Sequence, residues 1–362
     1  VTGGAEHPAL SAVRERIRAA AADGRPLRIR GGGTKDFYGG ALDGDVVDVA
    51  SLAGIVAYAP GELVITARAG TPLDEIEAAL AEHDQMLAFE PPRHGGRTTL
   101  GGIVATGFSG PRRAQAGAVR DFVLGVRIVD GTGEALKFGG QVIKNVAGFD
   151  VSRLMTGALG TLGVLTEISL KTLPRPRRET TRVIDCGGAD ALRLVNEWGG
   201  KPLPVSATCY ADGRLWVRLS GAPAAIAAAT EAIGGDEVDG DAFWRSIRDQ
   251  THERFVASTQ GDAALWRLSV RSTAPWLDLP GEQVVEWGGA LRWLVAMDGA
   301  PASKIRAWAA EHGGHATLYR GADKSAGVFH PLPSPMVALH RRLKQVFDPQ
   351  RVLNRGRFFA EV

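Results

Sequence analysis

Leu10, Val13 and Ile17 recur at helical spacing ahead of Leu27-Arg28-Ile29-Arg30, a short strand that runs straight into Gly31-Gly32-Gly33. Asp45 to Val49 and Leu63 to Ala69 read as further strands. Thr71 is expected to cap a helix with Pro72 at its first position, Asp74 and Glu75 in its first turn, and Leu73, Ile76 and Leu80 as its buried stripe. Phe122 to Val129, the turn Asp130-Gly131-Thr132-Gly133 and Ala135 to Phe138 predict a hairpin. Val164, Thr166, Ile168 and Leu170 alternate with Glu167, Ser169 and Lys171, the pattern of a half-buried strand. Short strands, few helices and glycine junctions make this an α+β unit. Further on, strands are predicted at Arg182 to Asp185, Leu215 to Leu219, Leu265 to Val270 and Leu291 to Ala296, and helices at Ala189 to Trp198, Pro223 to Ile233 and Ala302 to Glu311. That mixture predicts an antiparallel sheet with helices on one face. A last amphipathic helix runs from Pro335 to Phe347.

The chain's 362 residues allow about two domains at ~150 residues each. All eight tryptophans lie beyond Pro174, whereas 28 of the 47 glycines lie before it, and Pro174-Arg175-Pro176-Arg177-Arg178 reads as a rigid connector between two differently built units. The tryptophans are expected in the core and at interfaces. With 42 basic against 40 acidic residues the net charge is +2, and neither unit is a basic nucleic-acid module. No apolar run reaches the ~20 residues of a membrane span, and Val1-Thr2-Gly3-Gly4 shows no signal-peptide pattern, so a cytoplasmic location is expected. Cys186 and Cys209 are too few for a disulfide framework or a four-thiolate cluster.

Glycine, at about 13% against a usual ~7%, is the outlying number. No G-x-G-x-x-G follows a strand and no G-x-x-x-x-G-K-[ST] occurs, which excludes the Rossmann and P-loop phosphate sites. Gly107-Phe108-Ser109-Gly110 lacks the second glycine of a nucleophile elbow, and His252-Glu253 lacks the second His of a zinc helix. Three strand-adjacent glycine loops remain: Arg30 to Thr34, Thr98 to Gly110, and Gly157 to Gly163. Successive small residues let backbone N–H groups converge on phosphate oxygens. Three such loops suit a ligand with a pyrophosphate, although glycines that merely turn corners would give the same spacing.

The residues themselves carry a resemblance. Arg30-Gly31-Gly32-Gly33-Thr34, Leu100 to Gly107, Arg120 to Val126, Lys144-Asn145-Val146-Ala147-Gly148-Phe149-Asp150 and Gly157 to Val164 resemble, in order, the FAD-binding domain of the vanillyl-alcohol oxidase (PCMH-type) superfamily. Glu90-Pro91-Pro92 and the tail Phe347-Asp348-Pro349 with Asn354-Arg355-Gly356-Arg357 resemble, more closely, the FAD-binding subunits of bacterial glycolate oxidases. The tail departs from the usual Asn-Pro-Gly-Arg at Arg355. This implies a PCMH-type two-subdomain FAD-binding domain over 1–174, an antiparallel-sheet α+β cap domain over 175–330, and a tail, 331–362, that returns to the FAD domain. It also implies FAD, held non-covalently because Thr34 and Lys35 stand where covalent members carry His.

By the same resemblance Arg30, Gly31, Gly32, Gly33, Thr34 and Lys35 would wrap the pyrophosphate. Thr98, Thr99, Leu100, Gly101, Gly102, Ala105, Thr106, Ser109 and Gly110 would run along the flavin and ribityl chain. Gly157, Gly160, Thr161, Gly163, Val164 and Thr166 would meet the adenosine half, and Asn354 and Arg357 would return to the isoalloxazine edge. Lys144 and Asp150 would form a structural pair beneath the loops. The implied activity is oxidation of glycolate to glyoxylate in a complex with a homologous catalytic flavin subunit and an iron–sulfur subunit, with any membrane association made through those partners.

Catalytic residues are not marked. Glu311-His312-Gly313-Gly314-His315-Ala316 stands where the catalytic subunits have H-x-G-D-G-N-x-H, and no metal site is expected there. His330, His340 and Arg320 are the candidates for acid–base or carboxylate contacts, with Tyr319 and Lys324 as further carboxylate anchors. A self-sufficient D-2-hydroxy-acid dehydrogenase and a structural subunit with a vestigial flavin site are the competing readings.

Overall fold

The computed structural model describes residues 7–140, 150–256, 258, 263–296 and 301–359. The first helix, Pro8–Asp23, starts with proline at its first turn and stops at Gly24 in the left-handed region. Its buried side, Val13, Ile17 and Ala20, follows the predicted period and packs on Leu27, Val47, Val352 and Leu353. Leu27–Arg30 pairs in parallel with Asp45–Asp48. Leu353 bridges Leu27, so the end of the chain lies beside its first strand.

A five-stranded antiparallel sheet follows, in the spatial order Ile55–Ala59, Val64–Arg68, Val164–Lys171, Val123–Val129 and Ala135–Gly139. The predicted hairpin is its last pair, with Asp130 accepting from the backbone N–H groups of Thr132 and Glu134. Val164–Lys171 is buried on most of both faces rather than one, because it is the central strand and is covered on each side. Ser169, expected to face water, is buried and bonded to the Thr66 hydroxyl at 2.8 Å. Thr71 does not cap the next helix: Pro72 precedes Leu73–Ala81, and the Thr71 hydroxyl accepts from Gly54 N and donates to Gly54 O.

The second unit holds an eight-stranded antiparallel sheet ordered Asp236–Val238, Arg178–Asp185, Arg214–Gly221, Val205–Ala211, Glu282–Glu286, Leu291–Ala296, Ala264–Ser269 and His315–Arg320. Sequence patterning missed four of these strands. Two, Asp236–Val238 and His315–Arg320, are edges, and the other two pair with each other at only two positions. Gly188–Gly199, Pro223–Ile233 and Ala302–Glu311 cover one face as expected. The other face is also covered, by the unpredicted helix Asp241–Asp249 and by Tyr38, Phe108 and Leu159 of the first unit.

Two further polar contacts help to fasten the units together. The half-buried Glu90 carboxylate receives the guanidinium groups of Arg218 from the large sheet and Arg112 from its own unit, which hold it below the usual carboxylate range against the opposing effect of desolvation. Trp287 Nε1 donates to Gly110 O at 3.0 Å. This accounts for the Glu90-Pro91-Pro92 motif as a junction. The tail helix, Ser334–Phe347, ends in a fully buried ion pair, Lys344–Asp348 at 2.9 Å. Lys344 donates to Thr161 O and Leu353 O, and Asp348 accepts from the backbone of Val352 and Leu353.

Candidate functional site

The glycine loop is shaped by close backbone approach. A Cβ on Gly32 would lie 1.5 Å from the Arg97 carbonyl oxygen, and one on Gly31 would lie 2.5 Å from the Thr99 hydroxyl. Gly33 has φ +71. Only glycines let this loop lie against Arg97 to Thr99, where the Thr34 and Thr98 hydroxyls meet at 3.2 Å. Thr99 caps the helix Leu100–Thr106 by accepting from Gly102 N, and Gly101 abuts Ala69. The third loop is tied to that helix by Gly157 N to Val104 O and Leu159 N to Ala105 O.

Between these loops lies a cleft with about 790 Å³ of space, its open mouth included. Of the sequence-predicted residues it is lined by Arg30, Gly31, Gly32, Gly33, Thr34, Lys35, Thr99, Gly101, Gly102, Ala105, Thr106, Gly160, Gly163, Asn354 and Arg357. Ile29, Leu42, Val49, Ala69, Leu159 and Leu165 add an apolar lining that glycine spacing did not point to. The remaining predicted residues stand outside it. Thr98 bonds to Arg93 O, Leu100 and Val164 are core, and the Ser109 hydroxyl accepts from Val119 N. Gly110 is pressed against Glu90, Gly157 turns at φ +83, and Thr161 and Thr166 donate to Ala158 O and Arg127 O.

The tail braces the cleft from behind. Asn354 accepts from Ile29 N at 2.8 Å and donates to Leu159 O, joining the first and third loops. The Arg357 guanidinium donates to Gly40 O, Lys35 O and Asp36 O, and burial lowers its pKa to about 10. Arg357 and Asn354, both expected at the flavin edge, line the cleft and also hold its first loop in place. Arg355 is exposed and, among the described residues, bonds to Arg351 O, so its departure from the family tail leaves this bracing intact. Lys144 lies outside the described residues; Asp150 caps the helix Val151–Met155 and pairs with Arg153.

Lys35 is, with Arg357, one of two buried cations that line the cleft. Its ammonium reaches the Thr34 hydroxyl at 3.2 Å, and burial lowers its pKa to about 8. It adjoins a cluster of rings at the junction of the two units. Here His94 Nε2 meets the Tyr319 hydroxyl at 3.0 Å, and Phe37, Tyr38 and Phe108 pack edge-on or tilted around them. Burial, then Lys35 and Arg320, lower the His94 pKa to about 3, so the imidazole is neutral at physiological pH. Sequence reasoning missed His94 because no motif contains it; its position next to Glu90-Pro91-Pro92 was the only signal. Of the residues singled out for substrate contacts, Tyr319 stands in this junction and Arg320 reaches it, 4.3 Å over the Phe37 ring. His330 accepts from Ala316 N inside the second unit, and His340 packs on Phe358 and Phe359 beside a different groove. Lys324 donates to Phe37 O and Gly39 O.

Comparison with known proteins decides the family. Residues 9–139 match the FAD binding domain family. The chain is 49% identical to the glycolate oxidase subunit GlcE of Escherichia coli over 351 residues, 97% of each chain. The chain belongs to the glycolate oxidase GlcE family. Over 84 residues, 23% of this chain and 18% of its relative, it is also 38% identical to the glycolate oxidase subunit GlcD of Bacillus subtilis. A solved alkyldihydroxyacetonephosphate synthase shares the fold at 16% identity, with a TM-score of 0.66 over 94% of this chain and 73% of that one. Most of the cleft's lining falls inside the matched FAD-binding domain, and the residues present fit a cofactor with a diphosphate: glycine loops packed too closely for a Cβ border it, and two buried cations, Lys35 and Arg357, line it.

Proposed function

We propose that this chain is the FAD-binding subunit of a glycolate oxidase complex and takes part in oxidising glycolate to glyoxylate. The observation that carries this reading is the 49% identity spanning 97% of both chains with a protein named as such a subunit. FAD, when bound, supplies a two-electron acceptor. Gly31 to Lys35 and Thr99 to Thr106 would hold it, the backbone of the first loop and the Lys35 ammonium serving the diphosphate. Asn354 and Arg357 keep those loops in register. Thr34 and Lys35 offer no imidazole for a flavin methyl, so the cofactor is held non-covalently and is released by acid precipitation.

Cys186 and Cys209 are too few to hold a four-thiolate iron–sulfur cluster, so electrons leaving the flavin need a partner or a soluble acceptor; the family resemblance favours partners, a homologous catalytic flavin subunit and an iron–sulfur subunit. His330 and His340 stand away from the cleft, and His94 is engaged by Tyr319, so substrate deprotonation is assigned to the catalytic partner. Stopped-flow spectra with glycolate under nitrogen test the assignment. The isolated chain should show flavin reduction slower than the reconstituted complex by on the order of 10²–10⁴, the worth of a placed base. Bleaching of the isolated chain at the full rate would make it a self-sufficient dehydrogenase instead.

A further inference from the structure

The tail helix Ser334–Phe347 carries more apolar surface than the fold covers. At ~100° per residue, Lys344 and Phe347 mark its buried side, with Val337, His340 and Leu343 half-buried around them. Met336, Leu339 and Val346 lie further round, in line with Leu343 at alternating three- and four-residue steps. They are 42%, 47% and 72% exposed, and make up half of the large exposed apolar side chains among the described residues. Beside them runs a groove with about 660 Å³ of space, whose apolar walls come from Leu154, Leu162, Leu343 and Phe358. A stripe and a groove side by side form one contiguous apolar face, the feature that marks association surfaces.

The unpaired charge around this face is positive: the groove's Arg153 is paired with Asp150, and the tail helix adds cations alone. Between Ser334 and Phe347 the charged residues are Arg341, Arg342 and Lys344, with no carboxylate. Asp348 neutralises Lys344, whereas Arg341 and Arg342 are exposed and have no ion-pair partner among the described residues. A second copy of the chain would bring these arginines against their own kind. A flat lipid surface would leave the groove unfilled. We propose that the stripe and groove seat a partner subunit of the complex through an apolar ridge rimmed by Asp and Glu. This rests on the reading of the chain as a subunit.

The test uses the FAD-loaded chain and the remaining subunits from the same genome, purified together, with affinity measured by biolayer interferometry. Leu339→Glu/Val346→Glu should weaken binding by at least about tenfold while FAD content and Tm stay at wild-type values. Arg341→Glu/Arg342→Glu should weaken it as well, and wild-type affinity should fall as salt rises. Val56→Glu, an exposed apolar position on the opposite edge strand of the small sheet, should change nothing. Wild-type affinity in Leu339→Glu/Val346→Glu overturns the proposal. So does dimerisation of the isolated chain, or its binding to phosphatidylglycerol vesicles, when either is abolished by those same substitutions. A wild-type chain that binds no partner subunit overturns the subunit reading itself.

Discussion

The cleft beneath Gly31 to Gly33 and the ring cluster beside it share Lys35 at their border, yet they are built in opposite ways. The cleft is made of backbone and small side chains: a Cβ on Gly31, Gly32 or Gly101 would collide with its neighbour. The junction is made of large side chains, with Tyr319, Phe37, Tyr38, Phe108 and His94 in mutual ring contact. One region leaves room for a ligand; the other fills its space and fixes how two units meet. Under the proposed reading the difference divides the labour: cofactor contacts fall to the glycine wall, and the aromatic side chains fix how the two units meet.

The largest break in that comparison comes from behind the cleft. Asp348→Ala leaves Lys344 charged and buried without its partner, and should cost about 3–5 kcal/mol in urea unfolding. Because Asp348 orients Val352 and Leu353 just ahead of Asn354 and Arg357, FAD should be lost together with stability. Full FAD retention would mean that the tail does not brace the cleft.

Next in size is Lys35→Met, which should weaken FAD by about tenfold to a hundredfold at pH 7, the worth of a charged hydrogen bond. Its pH profile sharpens the assignment. The free ammonium titrates at about 8, and a bound diphosphate raises that value. Wild-type affinity is therefore flat below pH ~8 and falls as pH rises above it, whereas Lys35→Met is flat throughout. Fluorescence titration across pH reads both. The smallest effect belongs to the other side: Tyr319→Phe removes the hydroxyl from His94 Nε2 and should cost about 1 kcal/mol of stability with FAD affinity unchanged. An FAD loss equal to that of Lys35→Met would erase the distinction between the two regions.

The same contrast explains what was legible in the sequence. The cleft is contributed by short contiguous runs whose glycines announce close approach, so the loops at Gly31 to Gly33, Gly101-Gly102 and Gly160 could be read from spacing, whereas Asn354 and Arg357 of the tail came from the family resemblance alone. Helices with a clear period, such as Pro223–Ile233 and Ala302–Glu311, were legible to the residue. The junction was not, because His94, Phe108 and Tyr319 lie far apart in the chain and meet only through tertiary packing. The strands missed in the large sheet, such as His315–Arg320 at its edge, are stabilised by pairing rather than by their own pattern. Thr71 carried a capping signal, yet its hydroxyl was drawn to Gly54 by the neighbouring chain.

Gly102 gives the sharpest test that the cleft holds FAD. A Cβ at Gly160 would lie 2.8 Å from Asn354 Nδ2 and disturb the tail, whereas one at Gly102 faces the cleft and meets only the Thr99 hydroxyl at 3.3 Å. The measurement is a flavin-fluorescence titration of the apo chain with FAD, wild type beside Gly102→Val. The account predicts one FAD per wild-type chain, and binding weakened by about tenfold or more in a variant whose unfolding midpoint is little changed. Equal affinity in the two proteins would contradict it and place the cofactor elsewhere.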